Sequence, residues 1–130
     1  MTVFVDTSYY IATLVKRDQW SERAKAAALA DVRPVTSSLV VSETAALLQA
    51  RGHISAAIAF LQDARTSQSI QLVQVDAALQ SEAWDLFYRW AGRGANPVDC
   101  TSFAIMRRFG IRMAFTFDHH FRAAGFETLD

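Results

Sequence analysis

Apolar and polar positions divide the chain into short continuous apolar runs and longer stretches of helical spacing. Val3-Phe4-Val5 is an apolar run ending at Asp6, long enough for a buried strand and too short for a helix. Ser8 to Val15 and Ser21 to Ala30 read as helices, the second because it is alanine-rich with charged neighbours three and four residues apart. Asp31-Val32-Arg33-Pro34 breaks that pattern before a short strand at Val35-Thr36. Leu39 to Ala50 is an apolar helix stopped by Gly52. Ile54 to Ala64 follows, with Ile54, Ile58 and Leu61 on one stripe. Ile70 to Val75 mixes alternation with β-branching and predicts a strand. Asp76 caps a helix in which Leu79, Ala83, Leu86, Phe87 and Trp90 recur at helical spacing, ended by Gly92 and Gly94. Asn96 at the N-cap and Pro97 at the first helical position open another helix to about Phe109. Arg112 to Phe117 is a strand, Asp118 to Ala124 a short helix, and Phe126 to Leu129 a last strand. Such alternation predicts a single α/β domain over residues 1–130, a parallel sheet with helices on both faces.

Composition narrows the class without naming a partner. The 130 residues are 52% hydrophobic and 20% charged, which suits an ordered globule and argues against disorder. Thirteen acidic and thirteen basic side chains cancel, so net charge gives no sign of a nucleic-acid partner. From Arg89 to Arg122, six arginines surround only Asp99 and Asp118, an excess that could serve a phosphate or form solvated helix faces. A single cysteine, Cys100, leaves no internal disulfide framework and points to a reducing compartment. No apolar stretch approaches the roughly 20 residues of a bilayer span, and no signal segment opens the chain. The expectation is a cytoplasmic protein away from membranes.

Four carboxylates carry the candidate chemistry. Asp6 and Asp118 each follow a strand directly, at the edge where open parallel sheets bind ligands. Each could equally be a helix cap. Asp99 falls three residues after Asn96, as in a capping box, and the helix dipole alone would favour a negative charge there. Glu43 is a stronger clue, because it shares a face with Leu39 and Leu47 on a helix that is apolar nearly all round and is expected to be buried. A buried carboxylate must be paired with a cation, protonated or metal-bound. Clustered carboxylates repel, and a hard divalent cation resolves the repulsion. Oxygen donors without His or Cys at metal spacing favour Mg²⁺ or Mn²⁺ over zinc. His119 and His120 are expected to be exposed and to point apart, and Cys100 to be packed in the core.

Val5-Asp6-Thr7-Ser8, Val41-Ser42-Glu43, the run from Asp99 to Met106, and Phe115-Thr116-Phe117-Asp118-His119-His120-Phe121 together resemble the PIN-domain nucleases. Among these the chain looks most like the VapC-type toxins of bacterial toxin–antitoxin pairs. The resemblance spans essentially the whole chain, and the order and spacing of the motifs make it specific. It implies a three-layer α/β/α fold with a small parallel sheet and an Mg²⁺-dependent endoribonuclease activity, with Mn²⁺ able to substitute. It further implies that Asp6 and Asp99 are the principal metal ligands and that Asp118 completes the pocket. Glu43 would hold a second metal or orient the attacking water, with Ser8, Ser102 and Thr116 as supporting hydroxyls. Asn96-Pro97-Val98 departs from the Ser- or Thr-containing approach more usual in the family.

Two other classes compete. An aspartyl-phosphate phosphotransferase would want a second Asp two residues after Asp6, where Ser8 stands, and a late lysine, whereas Lys16 and Lys25 are both early. A non-cleaving PIN-like RNA- or protein-binding module would be marked by loss of carboxylates, and all four are present. Two further expectations concern partners. Trp84 and Tyr88 lie on a different side of their helix from Leu79, Ala83 and Trp90, which suggests a homodimer. Tyr9, Tyr10, Ile11, Leu14, Trp20, Ile54, Ile58, Phe60 and Leu61 are more apolar surface than a small sheet covers, so an apolar groove for a small antitoxin is expected beside the RNA site.

Overall fold

The computed structural model describes residues 1–130 as four parallel strands and seven α-helices, with two short 3₁₀ turns. In chain order these are β1 (Thr2–Val5), α1 (Thr7–Leu14), α2 (Ser21–Ala26), β2 (Arg33–Ser37), α3 (Ser38–Ala50), α4 (Ile54–Thr66) and β3 (Gln71–Val73). Then come α5 (Ala77–Trp90), α6 (Pro97–Phe109), β4 (Met113–Phe115) and α7 (His119–Ala123). The sheet order is β3-β2-β1-β4, and every pairing is parallel. Helices cover both faces, giving the α/β/α architecture expected from the alternation.

The central strand shows why a continuous apolar run was the right signal. Val3, Phe4 and Val5 are fully buried because β1 lies between β2 and β4 with helices above and below. Pro34 sits at the start of β2, one residue before pairing with β3 begins at Val35, so its missing N–H costs that ladder nothing. On one side α1 packs on α2 and α3, and α3 on α4; on the other, α5 packs on α6 and α6 on α7. Phe103, Ile105 and Met106 of α6 are fully buried, and Cys100 joins them in the core as expected.

Chain direction sets the site. From β1 the chain moves outward to β2 and β3, then crosses back through α5 and α6 to add β4 on the other side of β1. The switch point therefore lies between β1 and β4, whose carboxyl ends lead into Asp6 and toward Asp118.

Several expected bounds shift. α2 ends at Ala26 rather than Ala30, and residues Leu29–Asp31 form a 3₁₀ turn. Alanine propensity yields there to the need to reach β2 at Arg33. The expected last strand, Phe126 to Leu129, is reduced to one bridge between Glu127 and Met113. β4 stops at Phe115 instead of Phe117, because the amides of Phe117 and Asp118 turn to side chains. Phe117 N–H donates to Ser8 Oγ at 2.9 Å, and Asp118 N–H to Thr116 Oγ1 at 3.0 Å. The apolar surplus of the early helices is also smaller than expected. Tyr9, Tyr10 and Ile11 are buried and Trp20 and Phe60 half-buried, leaving Leu14, Ile54, Ile58 and Leu61 exposed.

Candidate active site

Asp6 occupies the N-cap position of α1, yet its side chain makes no capping bond. It turns instead into the sheet edge, where Thr116 Oγ1 donates to its Oδ2 at 2.8 Å and Ser8 Oγ at 3.2 Å. Ser8 and Thr116 hydroxyls are themselves 3.0 Å apart. Two expected supporting hydroxyls thus converge on one carboxylate oxygen. The third, Ser102, is fully buried and donates to the Val98 carbonyl of its own helix at 3.2 Å, away from the carboxylates.

Asp99 enters from the first turn of α6. Its Oδ2 accepts from Asn96 N–H at 3.0 Å, and Asn96 Oδ1 accepts from Asp99 N–H at 2.9 Å, a full capping box with Pro97 at the helix start. The cap fixes the carboxyl group and leaves Oδ1 without a hydrogen-bond partner among protein groups. Asp118 caps α7 by accepting from His120 N–H at 2.9 Å through Oδ1. Asp6, Asp99, Asp118 and Glu43 line one cleft of about 270 Å³.

Glu43 departs from its expected environment. It is half-buried at the cleft rather than enclosed, and no arginine pairs with it. The reason is that α3 is buried only along Val40, Val41, Thr44 and Leu48, while Leu39 is 37% exposed despite its apolar side chain. Composition overstated the burial of this helix.

The two histidines also differ from expectation. His119 is exposed, but His120 is half-buried, with Nδ1 at 2.6 Å from Asp118 Oδ1 and 4.0 Å from Asp99 Oδ2. Their rings lie 4.2 Å apart, and one ligand atom from each comes within 4.8 Å of the others and of an Asp118 oxygen. The side chain of His120 folds back onto the cap residue, so the pair does not diverge. His120 also explains Gly94: a Cβ there would lie 2.9 Å from His120 Nε2, and the residue has φ of 91°.

The arginines of the second half do not gather at the carboxylates. Arg108 pairs with Glu82 and Arg122 with Asp130, while Arg93 lies over the Trp90 ring. The basic side chain that does line the cleft is Arg51, at the end of α3. Sequence reasoning passed over Arg51, and it placed Trp20, which also lines the cleft, only among the apolar residues of an expected antitoxin groove, because neither stands in a motif.

Electrostatics mark the centre of the cleft. Burial pushes Asp6 up to about 6, offset by the Thr116 hydroxyl and reinforced by the charges of Asp118 and Glu43. Burial likewise pushes Asp99 up to about 7, with Asp118 and Asp6 adding to the rise. Two carboxyls that resist ionisation because they are dry and close to like charges are matched to a cation. The cleft is lined by five carboxylates, including Asp18, against one guanidinium. An all-carboxylate donor set suits a hard divalent ion.

A parallel α/β sheet with an acidic cleft at its switch point defines the class of the protein. Comparison then gives the family: the PIN-domain model matches residues 3–127, and the chain belongs to the PIN-domain family. It is 40% identical over 127 residues to the 23S rRNA-specific endonuclease VapC20 of Mycobacterium tuberculosis, covering 95% of each chain. The crystal structure of Mycobacterium tuberculosis VapC20, described as a Sarcin-Ricin loop cleaving toxin, is similar at a TM-score of 0.89 and 37% identity over 95% of both chains. VapBC2 from Rickettsia felis, crystallised with a fragment of promoter DNA, has a TM-score of 0.69 at 11% identity over 98% of this chain and 97% of that one. FitAcB from Neisseria gonorrhoeae gives 0.65 at 17% over 100% and 97%. The last two share the fold. No helix is long and apolar enough to cross a membrane.

Proposed function

We propose that the chain is a metal-dependent endoribonuclease and the toxin of a toxin–antitoxin pair, with Asp6, Asp99 and Asp118 as ligands of Mg²⁺. The observation that carries this reading is the convergence of these residues and Glu43 on one cleft, where burial and mutual charge hold Asp6 and Asp99 well above the usual carboxylate range. The 40% identity to an enzyme named for cleaving 23S rRNA supports RNA as the substrate class and ribosomal RNA as the first candidate.

The metal, Mg²⁺ or Mn²⁺ in its place, would supply a more acidic bound water and offset charge on the phosphoryl oxygens. Thr116 and Ser8 hold Asp6 in one rotamer, and the Asn96 capping box does the same for Asp99. Glu43, which lines the cleft without an ion-pair partner, would hold a second metal or orient the attacking water. Without a cation the carboxylates repel a polyanion, so metal is required for binding as well as for chemistry.

The antitoxin docks by an apolar segment on the groove between α3 and α4, lined by Ala45, Ala46, Ile54, Ala57, Ile58 and Leu61. A homodimer would use Trp84 and Tyr88, which are 51% and 78% exposed on α5. The test of the activity is digestion of total RNA by the purified chain with Mg²⁺, with EDTA, and as the Asp6→Asn variant. Cleavage confined to wild type with Mg²⁺ is expected; undiminished cleavage in EDTA or by the variant overturns the proposal.

A further inference from the structure

Trp20 stacks on Phe117 with ring centroids 4.9 Å apart and planes 1° from parallel. The indole is half-buried and also lines the carboxylate cleft. Its position is fixed from both ends. Trp20 N–H donates to Asp18 Oδ2 at 2.9 Å, and Ser21 N–H to the Asp18 carbonyl at 3.1 Å, which locks the turn leading into α2. Phe117, only 8% exposed, backs one face of the ring. Phe117 N–H in turn donates to Ser8 Oγ, the hydroxyl that reaches Asp6. Phe117 therefore joins the stacked indole to Asp6 through the Ser8 hydroxyl, and it directly precedes Asp118.

We propose that Trp20 is a stacking platform for the nucleobase next to the scissile phosphate, and that Arg51 anchors a phosphate of the same strand. The inference rests on the ribonuclease reading above and adds a subsite to it. Its chemistry is single-stranded: a flat indole face offers π-contact to any unpaired base, and a base inside a duplex presents no free face. Arg51 is the one guanidinium lining the cleft and has no carboxylate pairing with it. A planar, permanently charged fork there suits phosphate oxygens. The cleft volume of about 270 Å³ is small for a ligand pocket, typically roughly 300–1,000 Å³, so it takes one nucleotide while the strand runs on outside. Were Trp20 only a cover for the core, its loss would lower stability without touching base discrimination.

The test uses fluorescein-labelled RNA decamers of adenine, cytosine or uracil and a decamer of abasic ribose, with anisotropy read in Mg²⁺. All proteins carry Glu43→Gln, which keeps the three proposed Mg²⁺ ligands and slows cleavage, and anisotropy is read before strands are cut. The parent should bind base-bearing decamers roughly 5- to 150-fold more tightly than the abasic strand, the span of one base–aromatic stack. Trp20→Ala should remove that difference, Trp20→Phe should keep most of it, and Arg51→Gln should weaken all four strands alike. The platform is overturned if the Trp20→Ala protein, folded by circular dichroism, still discriminates, or if the parent binds base-bearing and abasic strands equally or not at all. Cleavage of total RNA by the wild-type chain separates a failed platform from a failed ribonuclease.

Discussion

Replacing Asp6 by Asn should stabilise the metal-free protein at pH 7.5. Burial is the main reason that the folded-state pKa of Asp6 is raised from 3.8 to about 6. A rise of about 2 units means that ionising this side chain in the fold costs about 3 kcal/mol more than in the unfolded chain. The sign follows from linkage. The folded protein holds the proton more tightly, so the contribution to stability is complete below about pH 4 and is lost as pH rises through about 6. An amide removes the charge and keeps an acceptor for the Thr116 hydroxyl, but it brings N–H donors beside Ser8 and Thr116. One poorly made bond returns about 1 kcal/mol. The net gain is about 1–2 kcal/mol, a rise of roughly 4–8 °C in Tm for a chain of this size. Scanning calorimetry in EDTA at pH 4, 5.5 and 7.5 should show the variant's advantage growing with pH. Saturating Mg²⁺ should reverse the order, because only wild type keeps all the ligands and gains the binding energy. A variant less stable than wild type in EDTA at pH 7.5, or an advantage independent of pH, would refute the reasoning.

Glu43→Gln should change the free energy of unfolding by less than about 1 kcal/mol, because Glu43 is half-buried and has no ion-pair partner to strand, while RNA cleavage falls at least tenfold. Urea denaturation and a cleavage assay read the two together, and a large stability loss would place Glu43 in the core instead. Thr116→Val deletes the 2.8 Å bond to Asp6 and the acceptor for Asp118 N–H, so Mg²⁺ affinity by titration calorimetry should weaken about 10–100-fold. Unchanged affinity would show that the hydroxyl does not orient the ligand. Tyr88→Arg should shift the sedimentation profile toward the 14.5 kDa monomer if α5 forms the dimer contact; an unaltered dimer would move the interface elsewhere.

The sequence determined what neighbouring residues decide among themselves. The run Val3-Phe4-Val5, the Asn96-Pro97 helix start and the Asp76 cap were legible because periodicity and capping act over a few residues. The position of Asp6 directly after a strand was legible for the same reason, whereas Asp118 stands three residues past the end of β4. Tertiary structure alone decided that β4 lies beside β1, which brings Thr116 onto Asp6 across 110 positions and Ser8 onto Thr116 across 108. It also decided that Glu43 is half-buried, since the covering of α3 depends on where α1 and α4 pack and not on its own composition. The fold of His120 onto Asp118, the stack of Trp20 on Phe117 and the presence of Arg51 in the cleft have no local signature. Each is a contact between side chains whose mutual position is set by the packing of distant elements, and a pattern read along one chain carries no record of that distance.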